Sequence, residues 1–260
     1  MKNIFVAFLI IFAVTLNGQN KFKAEFDYAV FPIDNNSGTF EIYYSFYQPG
    51  MKKITLDEKE FVTGLLGVMI KNTDSDTVII QKEYNFKVPF IPNGHEKNLN
   101  GLLRYSLKPG NYYCSLVGKD FAQMENMDTA SFSFTVKVPP EDRFSISDIQ
   151  MASSIKNNAS SDSYFYKNTL EVIPNPELVY GENLPVLYFY TELYNVNKEI
   201  GTENLKVSEY VFDSQENLRY KKEKFVSRKN PDVVEIGAIN LTKYPTGIYT
   251  LVVAADDSIK

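Results

Sequence analysis

At 260 residues and 44% hydrophobic content, the chain can fill two ordinary domains with cores of their own, which excludes global disorder. Its formal net charge of -5, with Lys and Arg scattered, argues against the basic face of a nucleic-acid binder. A single cysteine (Cys114) and a single histidine (His95) exclude an intramolecular disulfide and any Cys- or His-rich zinc site.

The chain opens "MKNIFVAFLIIFAVTLNGQN". Lys2 precedes an apolar run from Ile4 to Leu16, and small and polar residues follow. That is the layout of a secretory signal peptide over residues 1–19, with cleavage expected near Gly18 or Gln19. The run falls short of the about 20 residues a membrane-spanning helix needs. No later segment is longer, so no membrane span is expected in the mature chain. The expected location is the periplasm or the cell surface.

Next come strands. Phe22, Ala24, Phe26, Tyr28 and Val30 alternate with mostly polar neighbours, and Phe40, Ile42, Tyr44 and Phe46 do the same. "FVTGLLGVMI" and "TVIIQKEYNF" flank the polar "KNTDSD", which reads as a hairpin. Gly64 to Gly67 is read as a bulge inside the first of these strands. "GLLRYSL", "NYYCSLVG" and "ASFSFTVKV" follow, with a short helical turn expected near Asp120–Asn126 and Cys114 buried on its strand. The spacing predicts a β-sandwich over residues 20–139. "VPPED", Val138–Asp142, is the expected boundary, because its two prolines cannot donate ladder hydrogen bonds. A second sandwich is expected over 143–260, from "LPVLYFYTELYNV", "NLKVSEYVFD", "LRYKKEKFV", "VVEIGAINL" and "GIYTLVVAADD".

The halves match in two places. "LKPGNYYCSLVGKD" from Leu107 lays onto "YPTGIYTLVVAADD" from Tyr244, with Gly110 on Gly247 and Tyr112 on Tyr249. "FEIYYSFY" from Phe40 lays onto "LYFYTELY" from Leu187. Two matches in one order predict an all-β chain of two tandem immunoglobulin-like sandwiches. Tyr112 and Tyr249 are expected to return their hydroxyls to the preceding loop, as in a tyrosine corner. In the first copy that strand is followed by "ASFSFTVKV". The second copy is therefore expected to lack its last strand. Either the chain is a fragment of a longer protein, or a partner donates the strand.

"FSISDIQMASSI" (Phe144–Ile155) and "LEVIPNPELVYGENLPVLYFYTELYNV" (Leu170–Val196) carry a resemblance. Ser147–Gln150, Ile173–Pro176, Tyr180, Gly181, Pro185, Tyr188, Tyr190 and Glu192–Asn195 resemble the β-sandwich region preceding the GWxTD domain in exported proteins of Bacteroidetes-type bacteria. The chain contains no Trp, so the naming segment itself is absent. The resemblance implies architecture and export rather than a reaction.

No catalytic group stands out. His95 lies in the turn-like "IPNGHEKN", and carboxylate pairs such as Glu171 and Glu192 are not selected by any spacing. "NTDSDT", Asn72–Thr77, offers clustered oxygens for a cation, with Asp256 and Asp257 a weaker candidate, but it lacks the Gly and distal Glu of an EF-hand loop. No cofactor or metal is expected. If Leu187, Phe189 and Leu193 face a core, Tyr188, Tyr190 and Tyr194 face outward, and Tyr43 and Tyr47 hold the matching positions in the first copy. These five tyrosines are the expected interaction face, since tyrosine buries area and keeps a polar tip. The expected function is a non-enzymatic protein–protein interaction or scaffolding module with an unidentified protein partner. The alternative is a carbohydrate-binding module using an exposed tyrosine face.

Overall fold

A computed structural model describes residues 21–90, 98–139, 141–198 and 203–256. The expected signal peptide, His95 and Asp257 lie outside the described residues. Eight strands fill the first half: β1 (Ala24–Asp34), β2 (Ser37–Tyr47), β3 (Lys53–Leu56), β4 (Lys59–Asn72), β5 (Thr77–Pro89), β6 (Asn98–Leu107), β7 (Gly110–Asp120) and β8 (Gln123–Val136). Nine follow: β9 (Ser145–Ile146), β10 (Gln150–Lys156), β11 (Tyr166–Lys167), β12 (Leu170–Pro174), β13 (Val186–Tyr194), β14 (Asn204–Asp213), β15 (Leu218–Ser227), β16 (Val233–Asn240) and β17 (Tyr249–Asp256). The chain is all-β, and every pairing between strands is antiparallel.

In the first half a sheet ordered β1-β2-β6 faces one in which β4 carries β5 on one edge and β7, then β8, on the other. Their alternating apolar residues meet in a core that includes Val30, Phe40, Ile42, Val68, Ile70, Cys114 and Leu116. In the second half a sheet ordered β11-β12-β10-β13-β16 faces one ordered β15-β14-β17. The two halves share a plan. β1-β2-β6 corresponds to β10-β13-β16, and β5-β4-β7 corresponds to β15-β14-β17, in the same chain order.

Both tyrosine corners are present. The Tyr112 hydroxyl donates to the Lys108 carbonyl at 2.7 Å, and the Tyr249 hydroxyl donates to the Pro245 carbonyl at 2.8 Å. Each fixes the loop that enters its strand. Gly110 takes a positive φ of 153°; Gly247 does not.

The structure departs from the sequence reading at three points. Gly64 to Gly67 is no bulge: pairing runs unbroken through it on both edges, and the register shifts between Ile70 and Lys71 instead. Gly64 leaves room for the Phe86 ring, which lies where a Cβ would point. Asp120–Asn126 is not helical. Asp120 Oδ1 accepts the Ala122 N–H at 3.0 Å and closes a tight turn, so β8 begins already at Gln123. Between Phe144 and Pro174, where no strand was expected, lie β9 to β12.

Tyr112 is buried and its hydroxyl has a single loop acceptor, so Tyr112→Phe is expected to cost about 1 kcal/mol in urea unfolding with an unchanged slope. A change below the error of the measurement would remove the corner from the list of stabilising contacts.

Candidate functional site

The five tyrosines do leave their own sandwich cores, but they do not form an open face. Tyr43 and Tyr190 are 0% exposed and Tyr194 is 9% exposed. Tyr47 and Tyr188 are half-buried. For Tyr43, Tyr188 and Tyr190 the covering surface is the other half of the chain. The outer face of β1-β2-β6 packs against the outer face of the sheet holding β10, β12 and β13. A separate apolar cluster forms there from Ala29, Phe31, Tyr43 and Leu102 on one side and Ala152, Leu170, Val172 and Tyr190 on the other. Tyr43 and Tyr190, equivalent in the two copies, thus end up in one contact.

A charged network sits inside this seam. Glu41 on β2 is 2% exposed. Its Oε1 accepts from Arg104 Nε at 2.9 Å, across the β2–β6 pairing. Its Oε2 accepts from the Tyr43 hydroxyl at 2.6 Å and from Lys167 Nζ at 2.8 Å. Arg104 and Tyr43 come from the first sandwich, Lys167 from the second. Lys167 Nζ also lies 3.1 Å from the centroid of the Phe31 ring and 4.6 Å from that of Tyr190. A desolvated ammonium gains from two ring faces as well as from its carboxylate.

The electrostatics follow from burial and pairing. Burial alone would raise the Glu41 carboxyl, but Lys167, Tyr43 and Arg104 outweigh it and hold the group below its usual range. Burial dominates for Lys167, which falls to about 8 despite Glu41. Beside the network, Asp27 pairs with Tyr43 across β1–β2 and is pushed by burial to about 6.

Lys167 reaches the seam because of a strained turn. β11 and β12 form a hairpin in which Lys167 pairs with Leu170, and Asn168 and Thr169 both have positive φ, 48° and 67°. That is the geometry of a two-residue primed turn, which Asn accepts and a β-branched residue resists. Asn168 Nδ2 then donates to the Tyr190 hydroxyl at 2.6 Å and to Glu192 at 3.0 Å. Glu192 also accepts from the hydroxyls of Tyr190 and Tyr194. A second tie joins the halves: Val30 N–H donates to the side-chain Asp148 Oδ2 at 2.9 Å, and Asp148 N–H donates back to the Val30 carbonyl at 3.3 Å.

The other candidates disperse. Glu171, paired with Lys156, stands on β12, and β10 separates it from Glu192 on β13. In the Asn72–Thr77 turn, Asn72 Oδ1 accepts from the Ser75 N–H at 2.8 Å, and Asp74 accepts from the Asn111 N–H at 2.9 Å, so the loop oxygens bind the loop to β7. Among the described residues, no three His, Cys, Asp or Glu side chains come together as a metal site. Burial raises the Cys114 thiol to about 12, which keeps it protonated.

Sequence reading missed Glu41, Arg104 and Lys167. The usable signal was Glu41 sharing a strand face with Tyr43. Nothing local singles out Lys167. No protein-family model matches the chain, and no curated protein matches it.

Thr169→Gly relieves the positive φ and is expected to stabilise the protein by up to about 1 kcal/mol in urea unfolding, and a loss of stability would show the turn is not strained. Lys167→Met leaves Glu41 buried with half its cations gone and is expected to cost about 3 kcal/mol, whereas adding Glu41→Gln is expected to restore part of that loss. The pH dependence has a defined sign. With a folded pKa near 8 against 10.5, the unfolded chain binds more protons between those values, so stability rises with pH from about 8 to about 10. Lys167→Met is expected to lack that rise, and an unchanged profile would clear Lys167 of it.

Proposed function

We propose that the chain is an exported, non-enzymatic scaffolding and protein-interaction module, one related to the sandwich region that precedes the GWxTD segment. Its place of work is the periplasm or the cell surface. The observation that carries this reading is the seam: the residues best suited to contact a partner join one sandwich to the next through a buried, ion-paired contact. A binding module that used Tyr43, Tyr190 and Tyr194 as a sugar platform would need them open, whereas these three are buried. Among the described residues no helix is long and apolar enough to cross a membrane.

Rigidity is the test. Glu83 on β5 and Lys221 on β15 are exposed, and each can be replaced by Cys for a donor–acceptor dye pair, because Cys114 is buried and does not label. The wild-type background is expected to give one narrow transfer distribution, and Glu41→Lys, which sets three cations together, a broad one. A broad wild-type distribution would overturn the scaffold. On a glycan array the same protein is expected to retain no saccharide, and a specific hit would favour the carbohydrate reading.

A further inference from the structure

The carboxylates enclosed by the seam are not equally served. Glu41 has Arg104, Tyr43 and Lys167. Asp148, between β9 and β10, accepts the Val30 N–H and is drawn on by the Lys137 charge. Asp27 shares its face of β1 with Ala29 and Phe31, which pack into the seam cluster. Among the described residues no ion pair reaches Asp27. The seam's cations are committed elsewhere, Lys23 to Glu25 and Glu177, and Lys167 and Arg104 to Glu41.

What faces Asp27 is neutral or acidic. On β2 stands Tyr43, its partner in the ladder, whose hydroxyl is given to Glu41. From the second sandwich come Tyr180, whose hydroxyl donates to the Ala152 carbonyl at 3.0 Å, and Asp148, a like charge. Burial pushes the Asp27 carboxyl up to about 6; the Tyr28 main chain opposes this, and the Asp148 charge adds to it. Burial raises Asp148 as well. Opening the seam returns both groups to water. A carboxyl raised in the closed form holds a proton that the open form releases, here between 3.8 and about 6. Closure is therefore favoured as pH falls through that interval and disfavoured as pH rises through it.

We infer that the seam is a pH-responsive joint, in which Asp27 of the first sandwich and Asp148 of the second weaken the contact at neutral pH and let it tighten on mild acidification. The Glu41 network keeps the alignment throughout. Its partners hold Glu41 ionised below this interval, and Lys167 loses its proton only above it. The open form is a minor one at neutral pH, so a narrow dye-pair distribution is compatible with the joint. The inference goes beyond the scaffold reading and stands on the seam alone.

The Val30 amide is the reporter, because its acceptor, Asp148 Oδ2, lies across the seam at 2.9 Å. Its exchange protection, taken relative to an unstructured chain at the same pH, is expected to be about five- to tenfold greater at about pH 5 than at about pH 7. D27N is expected to remove that difference and to be as protected at neutral pH as the wild type is in acid. Asp27→Ser, smaller and equally uncharged, repeats the test if D27N does not fold. Histidine ordinarily titrates in the same interval and the chain has one, His95, so a response that survives in the Asp27 variants would assign it elsewhere and overturn the joint. Wild-type protection that does not change with pH would overturn it too. So would protection of Val30 equal to that of Leu116 in the first core, since the seam would then open only when the sandwich unfolds. A narrow dye-pair distribution with no response at Val30 leaves the scaffold standing without the joint, and a broad one with the response intact does the reverse.

Discussion

The alignment of the two sandwiches turns on one buried carboxylate. Glu41 sits between two sheets, away from water, with both oxygens occupied by side chains from two different domains. Taking a charge into such a place costs several kcal/mol unless it is fully paired. Here pairing is complete only when β11 brings Lys167 across the seam. The apolar cluster around Phe31, Tyr43 and Tyr190 supplies area, and the ion network supplies alignment. Grease alone would let the two faces slide, whereas a carboxylate with fixed partners accepts one relative position.

The second sandwich repeats the theme inside its own core. Glu209 and Glu235 are each 1% exposed and face inward from opposite sheets. Lys222 and Lys224 reach them from β15, at 3.4 Å and 2.5 Å, with part of each lysine side chain still exposed. These charges lie between two smaller apolar clusters, one around Phe189 and Ile239 and one around Leu193 and Leu205. The first sandwich has a single continuous core instead. Two copies of one plan have therefore been packed by different chemistry, and the second copy has the more polar interior.

The sequence disclosed the strands through period-two alternation, and the duplicate Gly-x-Tyr stretch located both tyrosine corners. It also separated the two faces of β2 and β13 correctly, because Phe40, Ile42 and Phe189 alternate with Tyr43 and Tyr190. What alternation cannot say is what covers an outward face. A tyrosine pointing away from one core reads the same whether water, a partner or the next domain lies beyond it. Lys167 was illegible for a related reason: its role depends on a hairpin turn and on Glu41, 126 residues earlier. β9 and β11 escaped because they are two residues long, and β10 because its sequence, "QMASSIK", shows no apolar alternation.

The tie between Val30 and Asp148 joins partners 118 positions apart in the sequence. Closing so long a loop costs chain entropy that the other contacts of the seam must offset. Unfolding either sandwich by itself would break this tie, expose the seam and strand a charge on the survivor. The two halves are built as separate cores, yet the seam couples them, so their unfolding is linked rather than independent.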